Sequence, residues 1–186
     1  MEAPFSLETL LRRYGDRRPS IQTVYQQMFD KAHRLVEPRT AQRTFIAAEL
    51  PTFATYLPGA ETIILGLCTI GSNLEEQVTE LFNSDPVEAV VLDEIGTLWV
   101  NGLGRELHNT IRTAAKAAGQ QASPSYRPGI GRWPVELQSE LLDHLPAPVI
   151  GVQLLDGMMI PQKSVSMIVG IGTKLGRHTH TSGGNL

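Results

Sequence analysis

The feature that most constrains this chain is a break near residue 123. From Ser123 to Pro134 it reads Ser-Pro-Ser-Tyr-Arg-Pro-Gly-Ile-Gly-Arg-Trp-Pro. Three prolines and two glycines exclude a helix there, because proline has no amide donor and glycine loses the most backbone entropy on ordering. The segment is therefore an irregular connection whose backbone amides lie open to close approach by a ligand. A short amphipathic helix and two apolar runs follow it, and a long helical stretch precedes it.

The rest of the chain falls into elements around this break. Ile21, Val24, Met28, Ala32 and Leu35 recur at intervals of three and four, a helical stripe stopped by Pro38. Asn73 to Phe82 reads as a second helix, with Glu75 and Glu76 in the first turn, where negative charge complements the helix dipole. Asp85-Pro86 opens a third, from Val87 towards Ala118, with Asp85 as N-cap, Pro86 as first residue and Gly119 as stop. Gly96, Gly102 and Gly104 inside it predict close helix contacts or a kink. Pro134 to Leu145 reads as a fourth, with Leu137, Leu141, Leu142 and Leu145 on one face.

Glu61 to Thr69, Val149 to Leu155 and Ser164 to Ile171 read as strands, and Thr44 to Ala48 as a short one. The last two strands are expected to pair as an antiparallel hairpin across a moderate loop. That order favours an α+β fold over a doubly wound parallel sheet. The expected organisation is a polar, Arg-rich segment over 1–20, one domain over 21–175 and a flexible tail over 176–186.

At 186 residues, 41% apolar and 19% charged, the chain is long enough for a real core. Its formal charge is −3 and its one basic run is Arg12, Arg13, Arg17 and Arg18, so no nucleic-acid partner is expected. Cys68 is the single cysteine, set in the apolar run from Ile63, and a buried inert thiol is expected there. No stretch approaches bilayer-spanning length and no charged-then-apolar leader opens the chain. The expectation is a cytoplasmic protein with no membrane partner.

Familiar catalytic patterns do not close. Gly129-Ile130-Gly131 begins like a dinucleotide fingerprint, but Pro134 holds the third glycine position. His178 and His180 share a face on a strand, yet two ligands do not make a metal site. Lys163-Ser164-Val165-Ser166 has neither a lysine-after-serine spacing nor a nucleophile elbow, so its serines read as structural hydrogen-bonders. Asp93-Glu94 could serve as acid/base groups, but reads more simply as a solvated helix face.

The succession of segments resembles the activation (AdoMet-binding) domain of cobalamin-dependent methionine synthase, particularly its short free-standing relatives. The resemblance runs from about Tyr25 to Ile171. It rests on Pro128-Gly129-Ile130-Gly131-Arg132-Trp133-Pro134, on Gly151-Val152-Gln153-Leu154 and on Met159 to Ser166. Cys68-Thr69-Ile70-Gly71, Asp85-Pro86 and Leu92 to Gly96 also look like the free-standing form. It implies a twisted, mainly antiparallel sheet flanked by helices.

The implied role is reductive repair. S-adenosylmethionine (AdoMet) would be held with its methyl facing the cobalt of a stalled cobalamin, carried by a corrinoid methyltransferase partner. The site residues implied are Tyr126, Arg127, Pro128, Gly129, Ile130, Gly131 and Trp133, with Asp156, Ser164 and Ser166. Backbone groups of the loop would take the adenine, Arg127 the AdoMet carboxylate and Asp156 its ammonium.

The chain departs from the family at several of these positions. Ile130 stands where the family has tyrosine, Ser125 aligns with its arginine, and Leu155-Asp156-Gly157 replaces Thr-Glu-Ser. Asn101 occupies an acidic position of the long helix. A relative that kept the corrinoid-protein interface and lost AdoMet is the competing reading. A small hydrolase or metalloenzyme would rest on Ser164, His178 and His180 alone.

Overall fold

Two apolar runs form the centre of the fold. The computed structural model describes residues 3–14 and 19–176. β2 (Thr62–Thr69) and β6 (Ser164–Gly172) pair antiparallel, from Thr62 opposite Ile171 to Thr69 opposite Ser164. β1 (Arg39–Ile46) adds to the free edge of β2, and β3 (Gln121–Ala122) to that of β6. The sheet order is β1-β2-β6-β3, mainly antiparallel as expected for an α+β fold.

Strand alternation divides the core into two. Cys68, Val165, Met167, Val169 and Ile171 face one side, against α2 (Pro19–Leu35), α4 (Asn73–Phe82) and α5 (Pro86–Ala117). Ile63, Leu65, Leu67 and Ile168 face the other, against Trp133 and α6 (Leu137–Asp143). Phe53 of the short α3 (Pro51–Ala54) joins this second side. Because both faces are covered, all nine residues of β6 are buried.

The long helix α5 starts as its sequence dictates. Asp85 Oδ1 accepts the amides of Val87 and Glu88, each at 3.1 Å, and Pro86 occupies the first turn. Gly119, at φ +73°, follows its end. The interior glycines are contact points: a Cβ on Gly96 would sit 2.7 Å from Leu74 Cδ2 of α4, and one on Gly102 would run into Pro4.

Several boundaries differ from the sequence reading. The last long strand does not form a hairpin with the strand before it. β4 (Gln153–Leu155) pairs instead with β5 (Met158–Ile160), a separate two-stranded sheet closed by Asp156-Gly157. Both turn residues have positive φ, +50° and +81°, which asparagine, aspartate and glycine tolerate best. Val149 and Ile150 belong to a 3-10 turn over Ala147–Ile150 rather than to a strand. β1 is eight residues long rather than a short strand from Thr44, and α6 begins three residues after Pro134.

The described part of the N-terminal segment packs against the domain. α1 (Leu7–Tyr14) buries Leu10, and Phe5 meets Phe29 and Trp99 edge-on at 5.7 and 5.9 Å. Residues 177–186, with His178 and His180, lie outside the described residues, as do Arg17 and Arg18. No helix among the described residues is long and apolar enough to cross a membrane.

Candidate functional site

The segment 123–133 runs along the outer edge of β6 before turning away. Ser123 N donates to Gly170 O at 2.8 Å, and Tyr126 exchanges both main-chain bonds with Ile168 at 3.0 and 2.8 Å. Alternate residues of a strand present their main-chain groups to the same side. Ile168 and Gly170 bond outward, so Ser166 and Ser164 also present their N–H and C=O to this outer edge. Beyond Tyr126 no strand continues along it, and these groups have no main-chain partner among the described residues. The edge of β6 is therefore unpaired at Ser164 and Ser166, though both residues are buried, 7% and 3% exposed.

Extended geometry sends neighbouring side chains to opposite faces. Tyr126 points to the α6 side, where its ring stacks on Trp133 at 5.1 Å; Tyr56 packs on Trp133 as well, at 4.9 Å. Trp133 is 3% exposed, and its indole Nε1 is buried without a hydrogen-bond partner among the described residues. Burial pushes the Tyr126 hydroxyl above its usual value, partly offset by Arg132.

Arg127 points to the other face, against α5. Its Nη1 donates to Asn101 Oδ1 at 2.9 Å, and Asn101 is held in turn by its own Nδ2 donating to Thr97 O at 2.8 Å. No carboxylate of the described residues pairs with Arg127. Burial lowers the guanidinium pKa; the Cys68 thiol partly opposes that shift, and Arg105 adds to it. Cys68 is buried, and desolvation pushes its pKa up to about 12, so the thiol is neutral at ordinary pH.

The expected loop contacts are mostly turned inward. Gly129 N donates to Trp133 O at 2.8 Å, Ile130 N to Arg127 O at 3.2 Å and Trp133 N to Ile130 O at 3.3 Å. The amides of Gly129, Ile130 and Trp133 thus close the loop on itself rather than standing open to a ligand. Gly129 and Gly131 adopt φ +80° and +64°, the reason glycine is needed at both. Pro128 is half-buried at the start of this turn, and Ile130 is 61% exposed at its tip.

Ser164 and Ser166 are buried on the α6 side. Ser164 Oγ lies 3.0 Å from Thr69 Oγ1, and Ser166 Oγ donates to Gln138 Oε1 at 2.9 Å. Both hydroxyls are thereby committed inside the protein. Asp156 sits on the exposed turn of the separate β4–β5 sheet, and no contact joins it to Arg127.

The ten residues therefore do not form one cluster. Arg127 lies on one face of the sheet, and Tyr126, Trp133, Ser164 and Ser166 lie on the other. Sequence reasoning gave no role to Gln138, which accepts the Ser166 hydroxyl, and the buried Ser125 Oγ has no hydrogen-bond partner among the described residues.

Two open grooves lie elsewhere. One of about 400 Å³ is lined by Leu142, Asp143, Ala147, Val152 and Leu154. The other, of about 470 Å³, is lined by Glu75, Phe82, Asp93 and Lys163, whose ammonium is bound to Asp93 at 2.7 Å and Thr97 at 2.9 Å. Neither includes any of the ten residues. Among the described residues no group of three or more His, Cys, Asp or Glu side chains is placed to hold a metal.

No protein-family model matches this sequence, and no curated protein matches it.

Proposed function

We propose that this protein binds AdoMet and supports the reductive methylation of a cobalamin or corrinoid methyltransferase such as methionine synthase. The reading comes from the resemblance described above, and one observation carries it. Arg127 offers a half-buried guanidinium with a neutral partner, and the edge of β6 is unpaired, though buried, at Ser164 and Ser166. A carboxylate on Arg127 would supply the missing countercharge. The strand edge would offer main-chain donors and acceptors to an adenine or to an amino-acid moiety.

AdoMet, when bound, supplies an electrophilic methyl group for the reduced cobalt of the partner. This chain's residues would hold and orient it. Arg127 would fix the carboxylate, and Asn101 would fix Arg127. The adenine contacts would come from the edge of β6, since the loop amides of Gly129, Ile130 and Trp133 are already used. The residues fit the carboxylate better than the ammonium, for which no carboxylate stands near Arg127 among the described residues.

Thermal unfolding with AdoMet and with S-adenosylhomocysteine tests the reading. A ligand present at about 100 times its Kd stabilises the folded state by about 2.7 kcal/mol. A saturable rise in Tm supports it, and an unchanged Tm at saturating AdoMet excludes it.

A second reading, a docking module for a corrinoid protein without AdoMet, is favoured by a different observation. Leu155 and Met158 pair across β4–β5 and are 61% and 59% exposed, an apolar face with no cover in the monomer. Binding of a purified corrinoid methyltransferase that persists without AdoMet and falls in Leu155→Ser would support this reading.

A further inference from the structure

The corner where α4 turns into α5 carries apolar side chains that the monomer leaves in solvent. α4 spends Leu74, Val78 and Leu81 on the core, and the first turns of α5 spend Ala89, Val91 and Leu92. Phe82, Val87 and Val90 remain outside, 51%, 52% and 56% exposed. Val87 and Val90 stand three apart and share the outer face of α5. Valine loses side-chain freedom in a helix, and at these two positions half of each side chain gains no packing in return. Phe82 lines the larger groove, of about 470 Å³, with Glu75, Glu76 and Asp93. Val90 is one turn before Asp93 on α5.

The surround of these side chains has one sign. From Asn73 to Gly104 the sequence has no Lys, Arg or His, and every charged residue is Asp or Glu. Against a formal charge of −3 for the whole chain, the corner is strongly acidic and the remainder is net basic. Glu76, Glu80 and Asp85 are exposed and Glu88 is half-buried. No cation among the described residues pairs with any of the four. Lys163 reaches the groove, but its ammonium is bound to Asp93 and Thr97. An apolar centre therefore sits inside a rim of uncompensated carboxylates.

We propose that this corner is a docking surface for the basic face of a protein partner. Lys or Arg side chains of the partner meet Glu76, Glu80, Asp85 and Glu88, and apolar side chains between them cover Phe82, Val87 and Val90. The sign of the rim sets the class of partner, because nucleic acid and an anionic membrane both present phosphate and are repelled. Cover by the partner also removes apolar area from water, which attraction between charges alone does not. The surface is separate from the surroundings of Arg127: Asn101, which holds Arg127, lies about 16 Å further along α5 than Val90.

The test is calorimetric titration with a synthetic amphipathic helix that has Lys on one face and Leu on the other. A Glu/Leu version and a Lys/Ser version of the peptide serve as controls. Wild type is compared with the paired change Phe82→Ser and Val90→Ser, with the paired change Glu76→Gln and Glu80→Gln, and with Leu155→Ser. All of these side chains are exposed, and thermal unfolding of each variant checks that the fold is kept. The expected result is saturable binding of the Lys/Leu peptide alone, at about 0.15 M salt. Affinity should fall about tenfold in each paired variant and hold in Leu155→Ser.

Absence of saturable binding by the Lys/Leu peptide overturns the proposal. So does equal binding of the Glu/Leu or Lys/Ser peptide, or binding that Phe82→Ser with Val90→Ser retains in full. Binding lost in Leu155→Ser places the peptide on the β4–β5 face and overturns it as well. Self-association of wild type that the Phe82 and Val90 changes abolish assigns the cover to a second copy of this chain, again overturning it. AdoMet binding, present or absent, leaves this surface standing, so the two readings fail separately.

Discussion

Ser166 Oγ on β6 donates to Gln138 Oε1 on α6 at 2.9 Å, and the bond is buried. Gln138 Nε2 in turn reaches Met159 Sδ at 3.5 Å, so this one amide ties the central strand to the β4–β5 sheet. Ser166→Ala leaves the glutamine oxygen buried and unpaired. It should cost about 1–3 kcal/mol, measured by urea denaturation. If the hydroxyl instead serves a ligand, stability will hold and binding alone will fall.

Gly172 closes β6 against the turn before β2. A Cβ there would lie 2.5 Å from Gly59 O, a main-chain atom that cannot swing aside. Gly172→Ala should therefore destabilise the fold by about 1–3 kcal/mol. An unchanged denaturation midpoint would show that this turn is looser than the packing indicates.

Cys68 is buried on β2 and its pKa is raised to about 12 by desolvation. At pH 8 the native thiol should resist an aromatic disulfide reagent for as long as the protein stays folded. It should react promptly in denaturant. Fast labelling under native conditions would contradict its placement.

Glu61 closes one end of the β2–β6 pair through Thr173, whose Oγ1 and N donate to Oε1 at 2.6 and 2.9 Å. These bonds, the side-chain one first, lower its pKa below 4.5. A carboxylate depressed on folding adds stability that is fully present above its unfolded pKa and is lost as pH falls through the folded value. Glu61→Gln should flatten stability below about pH 4.5 relative to wild type. Identical acid profiles would deny Glu61 this role.

Much of the fold was legible because strong local signals agree with it. Asp85-Pro86 marks the start of α5, and the apolar runs at Ile63 and Val165 mark strands buried on both faces. β1 was hard to see because it is an edge strand whose residues, from Arg39 to Ile46, are mostly exposed and carry no apolar run. The β4–β5 turn was written in Asp156-Gly157, but strands of three residues give no periodicity to read. The site was less legible. Grouping Tyr126 with Arg127 ignored the alternation that sends adjacent side chains in an extended segment to opposite faces. Nothing local foretold that the loop would spend its amides on itself, since that depends on how Gly129 and Gly131 fold it back.

The most direct test of the account is isothermal titration of wild type and Arg127→Ala with AdoMet, with S-adenosylhomocysteine alongside. Saturable heats in wild type that vanish in Arg127→Ala, with the variant's unfolding transition preserved, are the predicted result. No heat in wild type at saturating AdoMet, or equal binding by both proteins, would contradict it.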